Sequence, residues 1–124
     1  MRSKLTVEGD VLRAELFDRE TVEETQQFLR EAAAEGLKRG LSKGLVVVRS
    51  SRAIFQVQQY RISAYLKQLA ANASIRIALV GDSNELYSAH HYIELLAQQH
   101  GAKLRAFRDE ATALEWLKTG SGPA

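Results

Sequence analysis

The run Leu45-Val46-Val47-Val48 constrains this chain more than any other stretch. Apolar residues in succession leave no face for water, so a strand built from them must be covered on both sides. That is the place of an inner strand in a parallel sheet with helices packed against it. The segment from Ile75 to Val80 has the same character and runs straight into the turn Gly81-Asp82-Ser83-Asn84.

The rest of the chain supplies the neighbours such strands need. Leu5 and Val7 alternate with polar residues, Gly9-Asp10 offers a turn, and Leu12, Ala14 and Leu16 alternate again. This predicts a β-hairpin with one wet face. Thr21, with Glu24 three residues on, forms a capping box, and Val22, Thr25, Leu29 and Ala32 follow at helical spacing. Gly36 is where that helix is expected to end. Ser50 or Ser51 can cap a second helix, with Phe55, Ile62, Leu66, Leu69 and Ala73 on its buried side. Ser83 or Asn84 can cap a third, whose stripe is Leu86, Ala89, Ile93, Leu96 and Ala97 and whose end is Gly101. Lys103 to Phe107 reads as a last strand, and Asp109 caps a short helix carrying Ala113, Leu114 and Leu117. The predicted order is β-β-α-β-α-β-α-β-α, a single α/β domain over residues 1–119. Its sheet is expected to be five-stranded and mixed, mainly parallel, with four helices. Val46, Val48, Ile77, Leu79 and Leu104 are expected among its buried residues. Gly120-Ser121-Gly122-Pro123-Ala124 reads as a flexible tail.

Composition excludes several classes. Of 124 residues, 45% are apolar and 26% charged, an ordinary globular balance. The absence of Cys rules out a disulfide framework and thiolate metal sites and fits a reducing cytoplasm. The start Met1-Arg2-Ser3-Lys4-Leu5-Thr6-Val7-Glu8 lacks the apolar core of a signal peptide, and no apolar run approaches the roughly 20 residues of a membrane span. A cytoplasmic location with no transmembrane segment is expected. The net charge of +2 is too small to imply nucleic acid. Lys38, Arg39 and Lys43 precede the apolar strand while Arg49 and Arg52 follow it. They fall at opposite ends of a sheet and form no single footprint, so no nucleic-acid partner is expected.

Enzyme signatures are also missing. Gly36, Gly40 and Gly44 lack the Gly-Lys-Ser/Thr ending of a phosphate loop, and no Ser sits in a Gly-x-Ser-x-Gly elbow. His90 and His91 diverge by about 100° on a helix and cannot share a metal ion. His90 is expected at the edge of the apolar stripe, His91 on the exposed side, and His100 in a last helical turn where a cation suits the dipole. Hence no catalytic residue, metal or cofactor is expected.

The order of elements, the Val80-Gly81-Asp82 turn and the ending Ala106-Phe107-Arg108-Asp109-Glu110-Ala111-Thr112-Ala113-Leu114-Glu115-Trp116-Leu117 resemble the SpoIIAA-like branch of the STAS superfamily. The resemblance runs from about Lys4 to Lys118. It implies a non-enzymatic domain that works by binding. Antagonists of anti-sigma factors in the wider superfamily are switched by phosphorylation of a Ser after the third strand, and here Ser50 and Ser51 stand at that place. The acidic residue of their pattern is missing, with Arg49 in its stead, which speaks against a sigma-factor switch. Other relatives, and the structurally similar CRAL-TRIO domains, imply apolar ligands or membrane contact.

Two surfaces are therefore candidates. Ser50, Ser51, Arg49 and Arg52 follow the third strand, and Gly81, Asp82 and Ser83 follow the fourth. Open α/β sheets place ligands at such carboxyl ends, and the free amides of a helix start favour anions. Ordinary capping accounts for the same residues. The second helix carries Val57, Tyr60, Ala64 and Tyr65 beyond its buried stripe, an apolar surplus that marks a contact face for a protein partner or a homodimer, or else deep packing. The leading expectation is a regulatory module working through protein contacts. The alternative is a carrier or sensor of an apolar small molecule or lipid, with peripheral membrane contact.

Overall fold

A computed structural model of the chain describes residues 2–51, 66–72 and 74–119. The chain starts as the predicted hairpin. β1 (Arg2–Glu8) and β2 (Val11–Phe17) pair antiparallel across a turn in which Gly9 takes a φ of 61°, so that Leu5 lies opposite Ala14. From β2 onward every pairing is parallel: β3 (Lys43–Arg49), β4 (Arg76–Gly81) and β5 (Leu104–Phe107) follow in sheet order β1-β2-β3-β4-β5. Among the described residues this gives the expected five-stranded mixed sheet with four helices.

Each strand lies beside its neighbour in sequence, so right-handed crossovers place their connecting helices on one face of the sheet. Those helices are α1 (Val22–Arg39), the helical residues 66–70 (α2) and α3 (Asn84–His100). Phe28, Leu66, Leu69, Leu86 and Ala97 pack there with Ala14, Leu16, Val46, Val48, Leu79 and Leu104 of the sheet. The opposite face is closed by α4 (Glu110–Thr119), where Ala113, Trp116 and Leu117 meet Val11, Leu45, Val47, Ala78, Val80 and Phe107. β3 is therefore buried on both sides, as its unbroken apolar run requires: Leu45 and Val47 belong to one core, Val46 and Val48 to the other. Ile77, nearer the amino end of β4, is only half-buried.

Local chemistry sets the ends. Thr21 and Glu24 form the capping box of α1, and Ser83 rather than Asn84 caps α3. The helix α1 does not stop at Gly36. It continues one turn to Gly40, whose φ of 67° is the left-handed conformation that closes a helix. The amides of Gly40 and Leu41 then donate to the carbonyls of Leu37 and Gly36, at 3.2 and 2.9 Å. Among the described side chains of α1 Phe28 is the deepest, although it was not among the residues of the stripe read from the sequence.

On the hairpin face expected to be wet, β1 keeps Lys4 and Glu8 exposed, while the β2 half is partly covered. Arg13 and Glu15 lie on it with side chains only 15% and 14% exposed. Arg13 pairs with Glu110 at the start of α4 and, at 3.2 Å, with Glu15, while Arg49 reaches the other oxygen of Glu110 at 2.7 Å. Partly exposed pairs of this kind stabilise by at most about 1 kcal/mol each. Their role is to fix where α4 begins. The Thr112 amide donates to Asp109 at 2.8 Å, and Trp116 anchors the helix against Phe107 with ring centroids 5.7 Å apart. On the other face Glu94 of α3, itself buried, accepts the Ala106 amide of β5 at 2.7 Å.

The continuation of α1 makes a prediction about two glycines. A Cβ at Gly36 would meet only Leu12 and the Leu41 carbonyl, both at 3.8 Å, an ordinary contact. Gly36→Ala should raise unfolding free energy by about 0.5–1 kcal/mol, because helical glycine costs conformational entropy. Gly40→Ala, at positive φ, should lower it by about 1 kcal/mol. Urea denaturation of both variants checks this; the opposite ranking would mean that the helix ends at Gly36.

Candidate functional site

The carboxyl ends of β2, β3 and β4 come level, with Phe17 paired to Arg49 and Val48 to Gly81. Two non-glycine residues turn the chain there in the left-handed conformation, Asp18 with φ 57° and Ser50 with φ 49°. They sit side by side, the Asp18 amide donating to the Arg49 carbonyl at 3.3 Å. Each such residue costs about 1–3 kcal/mol, a cost tolerated only where surrounding contacts determine the backbone.

Those contacts are specific. The Ser50 amide donates to Asp82 Oδ2 at 3.0 Å, joining the turn after β3 to the turn after β4. The Ser51 hydroxyl donates to the Arg49 carbonyl at 2.9 Å and accepts the Arg19 amide at 3.0 Å. Ser83 accepts the Leu86 amide at 3.1 Å and so starts α3. Gly81 permits the close approach of that helix, since a Cβ there would lie 2.6 Å from Leu86 Cβ.

Of the residues expected at this edge, Ser50, Ser51 and Asp82 are brought together, while Gly81 and Ser83 shape the entrance to α3. Arg49 turns away to Glu110 on the α4 face. Arg52, and the expected contact face of Val57, Tyr60, Ala64 and Tyr65, lie outside the described residues.

Behind the edge lies something the sequence pattern does not reveal. A recess of about 50 Å³ sits between the sheet and the helices, lined by apolar side chains including Leu16, Phe28, Val48, Leu66 and Ile93. Arg19 and His90 also line it, and both are buried, at 6% and 3% exposure. His90 was expected at the boundary of α3. Gly81 lets the first turn of α3 press onto the strand end, and His90, one turn after Leu86, is carried inside with it. Its ring Cε1 would stand 3.4 Å from a Cβ at Gly81.

The electrostatics follow from this burial. Desolvation, helped by the Arg19 charge, holds the His90 imidazole down at about 4. The ring is neutral at ordinary pH, and its Nδ1 has no hydrogen-bond partner among the described residues. Desolvation also lowers the pKa of the Arg19 guanidinium, against the opposing pull of Glu24. An Arg two residues past the end of a strand and two residues before a capping box was the only sequence signal for Arg19, and it is a weak one.

Among the described residues no three His, Asp or Glu side chains gather as a metal site, and no helix is long and apolar enough to cross a membrane. The chain matches no known family model and no curated protein.

The buried histidine predicts a pH dependence. His90 is neutral when folded but takes a proton below about pH 6.5 when unfolded. The stability that its neutral form contributes is complete above 6.5 and is lost as pH falls toward 4. A depression of this size corresponds to about 3 kcal/mol. In denaturation curves between these limits, His90→Leu should flatten the acid loss while His91→Gln, on the exposed side of α3, leaves it in place. Equal slopes in His90→Leu and the wild type would contradict the burial of this ring.

Proposed function

We propose that this chain is a non-enzymatic regulatory module that acts through contact with another protein at the carboxyl edge of its sheet. One observation carries this: Ser50, exposed and left-handed, is held by Asp82 and tied through the Ser51 hydroxyl to buried Arg19. Strain of this kind concentrates where a chain binds or switches. The polar groups at the edge are engaged in shaping it. Ser51 donates to a carbonyl rather than to a base, and Ser83 is a helix cap, so no nucleophile with an activating partner is assembled from them. The resemblance of the chain to SpoIIAA-like STAS domains, which work by binding, supports the same function, and such a module belongs in the cytoplasm.

A second function, that of a carrier or sensor of a small apolar molecule, is favoured by the recess beneath this edge. The two are compatible, because Ser51 links the surface turn to Arg19, which lines the recess.

Native mass spectrometry of protein purified from its own source tests the regulatory function. A stoichiometric homodimer or hetero-complex is expected. Ser50→Gly, which keeps the left-handed turn, should preserve it. Ser50→Glu, which sets a second negative charge beside Asp82, should reduce its population about tenfold or more, a loss typical of one disrupted interface anchor. A monomer in every case, or a complex indifferent to Ser50→Glu, would overturn the proposal.

A further inference from the structure

We infer that the recess behind the carboxyl edge is a binding site for a short-chain aliphatic monocarboxylate, its carboxylate held by Arg19 and His90 and its chain lying against Leu16, Phe28, Val48 and Ile93. This rests on the carrier or sensor function above and names its ligand.

Shape and chemistry agree on that class. A single water needs about 10–15 Å³ of such space, and the recess offers several times as much. It therefore takes a group of several heavy atoms, while a long acyl chain exceeds it. The lining is almost wholly apolar, which favours a hydrocarbon body over a sugar or a phosphate ester. Among the described residues its polar groups are Arg19, His90 and Thr25, and the Thr25 hydroxyl is already directed to the Thr21 carbonyl at 3.4 Å. A guanidinium in a desolvated setting selects an anion, and it matches the two oxygens of a carboxylate.

His90 supplies the second, independent observation. It is almost fully buried, it lines the recess, and its Nδ1 has no partner among the described residues. An unsatisfied buried polar atom costs free energy that a ligand's oxygen can recover. In the neutral tautomer with the proton on Nδ1, the ring donates to the same carboxylate that Arg19 binds. Among the described residues the charge that acts on this ring is that of Arg19 after β2, itself drawn by Glu24 of α1. Filling the site would also load Arg19, whose amide is fixed by Ser51, so occupancy has a direct route to the Ser50–Ser51 turn.

Isothermal titration of the full chain with butyrate, its neutral isostere butyramide, and carboxylates from acetate to octanoate tests the inference. Butyrate should bind, and butyramide should bind roughly ten- to a hundredfold more weakly, the loss expected for one charge-assisted hydrogen bond. Affinity should rise from acetate to butyrate and fall again by octanoate. Arg19→Met should abolish butyrate binding; should that variant not fold, Thr25→Phe, which fills the recess from α1, should do the same with the melting temperature retained. In labelled protein, butyrate should shift the His90 ring nitrogens. Equal binding of butyramide would overturn the carboxylate assignment while leaving a carrier of apolar molecules intact. Tighter binding of octanoate would assign the site to a fatty acyl chain and overturn the short-chain inference. No binding by any of these ligands would overturn both the inference and the carrier function.

Discussion

Burying β3 on both faces is the constraint from which the rest of the structure follows. Leu45 and Val47 need cover on one side and Val46 and Val48 on the other, so the sheet must carry helices on both. Sequential parallel strands with right-handed connections send α1, α2 and α3 to the same side. Only the segment after β5 remains to close the second face. That task falls to α4, a helix of 10 residues, and explains why it carries Trp116 and why its first residues are tied to β2 and β3 through Glu110. A short helix cannot roof five strands. The hairpin face beyond it is occupied by the Arg13–Glu15 pair, which fills the gap with charge that compensates itself.

The same arrangement creates the candidate site. The recess lies between Leu16, Val48 and the helices, and Gly81 lets α3 approach so closely that His90 lines it. At the rim, Asp18 and Ser50 adopt costly backbone conformations held by Asp82 and Ser51. Strained rim and buried cation are thus joined through one hydroxyl, that of Ser51.

Much of this was legible in the amino-acid order, for physical reasons. The unbroken apolar run of β3 and the stripe of α3 are statements about which faces water cannot reach, and the sheet obeys them. The caps at Thr21, Ser83 and Asp109 were readable because orphan amides have few possible acceptors nearby. Gly36 misled because a helix tolerates glycine at modest cost, and the residue that takes positive φ, not the first glycine met, ends it. Arg13 and Glu15 are less exposed than the alternation suggests because alternation marks which residues share a face and does not say which of them will pair with a distant helix start. Arg19 was missed, and His90 was placed at the edge of the core rather than inside it, for a related reason. Their burial depends on how closely α3 settles onto β4, and the smallness of Gly81 acquires that meaning only once Leu86 is placed against it.

The candidate site depends on a neutral, desolvated His90 beside a buried Arg19, behind the edge formed by Ser50, Ser51 and Asp82. Direct nitrogen NMR of the histidine rings as a function of pH tests this. The account predicts that the His90 ring remains neutral until pH approaches 4. A His90 ring that takes up its proton near 6.5 would place it in water, and with it would go the recess, its link to the surface turn, and the functions built on them.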